Sequence, residues 1–298
     1  MNGYPQIADH GMIGDLQTAA LVSSTGTVDW WCTPRFDSPS VFASLLDTER
    51  GGHCRLSVDT AHVADVTVRQ LYMPDTAILI TRYMAPGGVG EVADFMEPDT
   101  SRTPSERHRL VRAARVVRGS LPFTFACRPR FDYGRASHTL SVLGDGALFH
   151  GPGQDLHVQT SDNLALRPDG DDVTADFTLH EGQSAFAVLT STSAGSDRPA
   201  PPAGGAIRHS IESCLAFWHD WLRASRYRGR WQDMVNRSAI TLKLLTYAPT
   251  GAPIAAATMG LPEQIGGERN WDYRYTWIRD ASLSVRALID LGFAEEAQ

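Results

Sequence analysis

Apolar residues in the first two-thirds of the chain come in short bursts, many alternating with polar ones, and each burst is closed by Gly, Pro, Asp or Asn. AALVSS followed by TGTVDWWC, then DVTVRQLYM, TAILITRYM, VGEVADFM, LPFTFACRP, DVTADFTLH and SAFAVLTST show the pattern. A period of two with β-branched and aromatic content predicts strands. Turn chemistry falls between the runs: SSTG before TVDW, paired glycines in APGGVG that suit positive φ, and an Asp-Gly turn in LGDG. More than ten such runs between Ile7 and about Thr192 predict two packed antiparallel sheets around a shared apolar core. One run is ambiguous. RLVRAARVVRG places Arg109, Arg112, Arg115 and Arg118 three apart, which also fits a short helix. Its β-branched content and the following Gly119-Ser120 favour a strand whose arginines lie on a solvated face.

The stretch STSAGSDRPAPPAGG, ending at Gly205, cannot supply a buried face and predicts a linker. Beyond it the period changes to that of a helix. Ile207, Ile211, Leu215, Trp218 and Leu222 form one stripe, and Trp231, Val235, Ala239, Leu242 and Leu245 a second, ended near Tyr247 by Pro249 and Gly251. A third helix starts near Trp277, carries Ala281, Leu288 and Leu291, and has no evident stop before Gln298. The organisation is therefore strands over 1–195, a linker and its helix over 196–228, and further helices over 229–298. Stripes such as Leu242, Leu245, Leu288 and Leu291 need partners that so few helices do not provide. The helical part reads as the truncated beginning of a larger domain, and the chain alone is expected to be poorly soluble or to self-associate. The alternative is that all three helices dock on the sheets.

The net charge of −7 gives no electrostatic reason to bind nucleic acid. No run of about 18 apolar residues predicts a membrane span, and the N-terminus has no basic flank before an apolar stretch, so a cytoplasmic location is expected. Cys32, Cys54, Cys127 and Cys214 are far apart in sequence and form no CxxC pair, which predicts free buried thiols. His53 and Cys54 are adjacent, but neighbours on a strand face opposite ways, so no metal site or cofactor is expected there.

The segment Arg269 to Ala281, RNWDYRYTWIRDA, concentrates chemistry. Trp271, Tyr273, Tyr275 and Trp277 offer flat apolar faces with polar tips; Arg269, Asp272, Arg279 and Asp280 offer forked or paired hydrogen-bonding groups. A pyranose has one apolar C–H face and a rim of hydroxyls that both donate and accept, so this mixture suits a sugar. An aromatic helix start that packs on its neighbours and carries surface ion pairs is the competing reading. A second aromatic and charged cluster lies in TVDWWCTPRFD, with Trp30, Trp31, Arg35, Phe36 and Asp37. It predicts a loop that closes one side of a pocket, or an independent sugar site.

RNWDYRYTWIRDASLSVRALIDLGFAEEA resembles the first active-site segment of glycoside hydrolase family 15, the family of glucoamylases, glucodextranases and prokaryotic trehalases. WQDMVNRSAITLKLLTYAPTGAPIAAATMGLPEQIGGERNWDYR matches the family's upstream pattern, and IADHGMIGDLQTAALVSSTGTVDWWCTPRFDSPSVFASLLD is similar to the β-sandwich domain that precedes its catalytic barrel. The resemblance covers nearly the whole chain. It implies a multidomain protein, β then α: an N-terminal super-β-sandwich, a linker helix and the truncated beginning of an (α/α)6 barrel. It also implies hydrolysis of α-glucosides with inversion. By the same carry-over, Arg279 and Asp280 grip hydroxyls of the innermost glucosyl unit, Tyr273 and Trp277 shape its walls, and Trp271, Arg269 and Glu263 line or support the entrance loops. Inversion needs two carboxyl groups roughly 6.5–9.5 Å apart. The family's pair are glutamates from later in the barrel, so the general acid and base are expected beyond Gln298 and this chain is expected to be inactive alone. Asp280, Asp272, Glu263 and Glu268 are the tempting substitutes within the chain, but the matched family positions bind or support rather than catalyse. The substrate is expected to be α,α-trehalose or a maltooligosaccharide, and a cytoplasmic setting favours trehalose or stored oligosaccharide. A non-catalytic carbohydrate-binding module is the reading from another class. Oligomeric state stays open.

Overall fold

A computed structural model of the chain describes residues 4–264 and 266–297. The strands in chain order are β1 (His10–Gly14), β2 (Ala19–Ser23), β3 (Thr27–Cys32), β4 (Ser40–Phe42), β5 (His53–Val58), β6 (Thr67–Tyr72), β7 (Leu79–Ala85) and β8 (Gly88–Met96). They continue with β9 (His108–Arg128), β10 (Thr139–Leu143), β11 (Gly146–Gly151), β12 (Gln154–Thr160), β13 (Arg167–Asp169), β14 (Asp172–His180) and β15 (Ser184–Ser193). One sheet runs β1-β2-β3-β5-β9-β14-β13 with β4 beside β3; the other runs β6-β7-β8-β9-β15-β12-β11-β10. The large antiparallel β domain anticipated from the alternating runs is present.

Both sheets contain β9. Its first half pairs with β8 and β15, and its second half, from Ser120, pairs with β14 and β5. The strand changes sheet at Gly119, where φ is +77° and an added Cβ would lie 2.2 Å from the Gly87 carbonyl oxygen. A register slip beside Val89 and Gly90 supplies the extra residue that bends it. Gly87 and Gly88 therefore serve a different purpose from the one expected: neither adopts positive φ, and Gly88 is small because a Cβ there would meet the Arg118 carbonyl oxygen at 2.4 Å.

Between the sheets lie Val28, Trp31, Leu56, Val92, Leu110, Phe123, Phe149 and Val158, all fully buried. The helix Ala206–Leu222 covers the outer face of the second sheet, setting Cys214, Ile207, Ile211 and Leu215 on Ile80, Phe95, Val111 and Val188. The first half of β9 is consequently covered on both faces. That corrects the solvated-face expectation for Arg112, while Arg109, Arg115 and Arg118 do reach solvent. Arg112 is 0% exposed. Its Nε donates to Asp94 Oδ1 at 2.7 Å, its Nη1 to the Cys54 carbonyl at 2.6 Å, and its Nη2 to the Gly26 carbonyl at 2.8 Å and to Asp94 Oδ2 at 3.3 Å. Arg109 and Arg115, on the outer face, pair with Glu97 and Glu91, and Arg118 is exposed.

The helix Gln232–Leu244 ends before Tyr247 because Thr246–Tyr247 pairs with Ala252–Pro253 as a short hairpin. Its buried positions are Asn236, Ala239, Ile240 and Leu244, a face rotated from the predicted one, while Trp231 is exposed. Polar anchoring sets the rotation. Asn236 donates to Asp75 at 2.8 Å, and Arg237 donates to the Thr76 carbonyl at 2.8 Å while its guanidinium lies over the Tyr72 ring. The helix Ile278–Leu291 does have its own stop: Gly292 is left-handed, its N–H bonds the Ile289 carbonyl, and the Phe293 N–H bonds that of Leu288. Gln298 lies outside the described residues. All four thiols are buried and unpaired, although Cys54 and Cys127, remote in sequence, face each other in the β5–β9 register.

Two histidines are buried with hydrogen-bond acceptors on both ring nitrogens. His108 reaches Asp15 at 2.6 Å through Nδ1 and the Ser105 carbonyl at 2.9 Å through Nε2; His10 reaches the Gln6 carbonyl and Asp29. Acceptors facing both nitrogens favour the imidazolium form of each ring. Burial alone lowers the His108 pKa, but the bond and charge of Asp15 outweigh it and raise the value above 6.5. A raised folded-state pKa stabilises fully below about pH 6.5 and ceases to do so as pH rises through the folded value. The stability difference between wild type and His108→Gln is therefore expected to be largest near pH 6 and to shrink towards pH 9 in urea titrations. Asp94→Ala, which leaves the Arg112 charge buried and unpaired, is expected to cost about 3–5 kcal/mol. Asp145→Ala, which breaks a surface pair with Arg198, is expected to cost at most about 1 kcal/mol. Denaturant midpoints of the two variants test the contrast.

Candidate sugar-binding site

After the second helix, Met259–Pro262 pairs with Asn270–Asp272 as a hairpin. Glu263 and Arg269 sit at its turn, joined by a 2.8 Å bond from the Glu263 N–H to the Arg269 carbonyl. Trp271 Nε1 donates to Glu263 Oε1 at 2.9 Å. Glu263, Arg269 and Trp271 thus form one exposed group. The chain then runs alongside Ala255 and Ala256, whose N–H groups bond the carbonyls of Tyr275 and Tyr273.

Arg274, between those two tyrosines, is 5% exposed and anchors the segment to the β domain. Its Nη1 donates to the Ser38 carbonyl and the Tyr133 hydroxyl, both at 2.8 Å, and to the Phe36 carbonyl at 3.3 Å. Its Nε and Nη2 grip Asp272 at 2.9 and 2.7 Å. Burial would raise the Asp272 pKa, but the bonds from Arg274 hold it below the ordinary carboxylate range. Nη1 also lies 3.4 Å from Cys32 Sγ, whose thiol burial pushes up to about 12, so the contact is with a neutral thiol. The Tyr133 hydroxyl is presented by a strained turn: Asp132 and Tyr133 are consecutive left-handed residues, at φ 51° and 57°. Such backbone costs of order 1–3 kcal/mol per residue and persists only where the surroundings impose it. Sequence reasoning missed Arg274. Its one signal was its place two residues after Asp272, within reach of that carboxylate.

Tyr273 and Trp277 are 5.5 Å apart between ring centroids, and Trp277 Nε1 donates to the Asp272 carbonyl at 3.2 Å. Trp277 precedes the helix Ile278–Leu291, whose first turn carries Arg279 and Asp280. Arg279 lies 5.7 Å from the Trp277 ring and donates to Asp280 at 2.9 Å. Tyr273, Trp277, Arg279 and Asp280 therefore converge as an aromatic platform beside a forked donor and a carboxylate, separate from the hairpin group. Of the substitute carboxylates, Asp272 is held by Arg274, Glu263 by Trp271 and Asp280 by Arg279. In the TVDWWCTPRFD cluster, Trp30 and Trp31 are fully buried, with Trp30 Nε1 donating to the Ala257 carbonyl at 2.7 Å. Trp31 lies in the core between the sheets and Trp30 on the other face of β3, packed with Ala43, Leu45, Met259 and Leu261, so neither is free to meet a ligand; Arg35 and Asp37 reach solvent.

Residues 2–207 match the family described as trehalase-like, N-terminal. The chain belongs to that family. Residues 229–298 of this trehalase-like chain match glycosyl hydrolases family 15, and the platform lies within them. Three curated relatives named trehalase come from Mycolicibacterium smegmatis, Thermoplasma volcanium and Mycobacterium tuberculosis. They are 36%, 33% and 33% identical over 99%, 100% and 99% of this chain. The chain spans only about half of their length, 46%, 46% and 45% respectively. Arg274→Ala is expected to remove charge-assisted bonds worth about 2–3 kcal/mol and to free the hairpin. Lower melting temperature together with faster proteolysis between Met259 and Trp277 would bear this out.

Proposed function

We propose that this chain forms the sandwich and the glucosyl-gripping wall of an inverting α-glucoside hydrolase whose substrate is α,α-trehalose. The convergence of Tyr273 and Trp277 with the exposed Arg279–Asp280 pair carries the reading. A glucose ring laid on the aromatic faces presents its hydroxyls to a donor and an acceptor already held side by side. A sugar lacking one of those hydroxyls leaves a polar group unpaired, which is how such a site discriminates. The two carboxyl groups that protonate the leaving oxygen and activate water are proposed to come from polypeptide outside these 298 residues. Trehalose is preferred to maltooligosaccharides because the relatives are named trehalases.

The test is hydrolysis of trehalose against maltose by the protein in which this chain is joined to the polypeptide that completes the barrel. Proton NMR should show one β-glucose and one α-glucose released from each trehalose at early times. Asp280→Asn is expected to lower kcat/KM by about 30- to 150-fold, the equivalent of one charge-assisted bond of about 2–3 kcal/mol. Faster turnover of maltose than of trehalose would shift the assignment to a glucoamylase-type enzyme. Ile278, Leu283 and Ile289 on one helix and Trp231 and Met234 near another are half to mostly exposed. Self-association of the 298-residue chain alone is expected in sedimentation velocity; a monodisperse monomer would contradict it.

A further inference from the structure

The junction between the sandwich and the aromatic segment holds an open-sided cavity of about 230 Å³ that the glucosyl platform does not use. Arg35 and Asp37, from the loop between β3 and β4, line one side, Tyr275 and Thr276 the other, with Phe36 and Tyr247 also contributing. The Arg35–Asp37 pair is bidentate, Nε to Oδ1 at 2.9 Å and Nη2 to Oδ2 at 3.0 Å. That leaves Arg35 Nη1 without a protein partner among the described residues. The Tyr247 hydroxyl is likewise unpartnered there, and its ring packs edge-on against Phe36 at 6.2 Å. Tyr275 is 51% exposed.

Arg35 is offset by Asp37, and Arg274, which also lines the cavity, by Asp272, so the cavity offers no unpaired charge to an anion or a cation. It instead combines donor, acceptor and aromatic face within one small volume, the requirement of a neutral polyol ring. Tyr275 and Thr276 lie in sequence between Tyr273 and Trp277 of the platform, so the two places share a wall of polypeptide. Arg274 fixes that wall to the carbonyls of Phe36 and Ser38. We propose that this cavity is a second sugar subsite, receiving the ring attached to the glucosyl unit, so that the sandwich loop takes part in choosing the disaccharide. This rests on the function proposed above.

The 298-residue chain would be titrated with glucose, trehalose and maltose by saturation-transfer NMR, comparing wild type, Asp37→Asn, Tyr247→Phe and Asp280→Asn, each with a melting curve. Asp37→Asn and Tyr247→Phe are expected to weaken disaccharide binding about tenfold while leaving glucose binding near wild type. Asp280→Asn is expected to weaken all three sugars. If only Asp280→Asn matters, the second subsite is wrong and the glucosyl site stands. If Asp37→Asn and Tyr247→Phe matter but Asp280→Asn does not, the junction binds sugar and the proposed glucosyl site fails. Wild type that binds none of the sugars overturns both. Should Asp37→Asn melt early, Arg35→Lys replaces it, keeping the charge but losing the fork that holds Asp37 in place.

Discussion

The guanidinium of Arg112 carries a full charge where no solvent reaches it, and much of the β domain is arranged around its needs. Asp94 on β8 supplies the opposite charge; β5 and the turn at Gly26 supply carbonyl oxygens. Those partners come from both sheets, so the two layers must be stacked in one register for the charge to be tolerated. Apolar packing would hold the sheets together in several slightly shifted arrangements, whereas a buried ion with directional bonds accepts very few. Gly26 fits the same constraint, since its left-handed conformation sets the carbonyl in a turn with no side chain in the way.

Arg274 repeats this solution at the boundary with the helical region. It fixes Asp272 on its own segment and reads two carbonyls and a phenol on the other side. The aromatic residues flanking it are therefore held by polar geometry from behind and stay available in front. A flat aromatic face contributes to sugar recognition only if it does not turn inward, and here Arg274 takes the buried position between Tyr273 and the exposed Tyr275. The strained turn at Tyr133 belongs to the same arrangement, because its hydroxyl is one of the acceptors that Arg274 requires.

Much of this was legible in the linear order of residues. Alternating runs such as DVTADFTLH and SAFAVLTST became strands, the stripe from Ile207 to Leu222 became the first helix, and Tyr273, Trp277, Arg279 and Asp280 did assemble. The failures have a common cause. Arg112 looked solvated, Trp30 and Trp31 looked available, and the second helix appeared to bury Trp231, because periodicity reports which residues share a face and never what covers that face. The outer side of β9 is covered by a helix nearly a hundred positions downstream, and the inner side by the opposite sheet. Gly292 was simply overlooked as a stop, although the Gly-Phe pair that closes the helix is local in sequence.

The length of β9 carries a consequence for how the molecule is made. Its partners are β5 and β8, which precede it, and β14 and β15, which follow as far as Ser193. None of these pairings except β8–β9 is close in sequence, and all the rest require long loops to close before any bond rewards the closure. On the ribosome, the first sheet cannot be completed until the polypeptide has emerged to His180, nor the second until Ser193, and until then the apolar faces of β9 wait without full cover. Chaperone demand during synthesis should therefore peak in that interval and fall sharply once β15 docks.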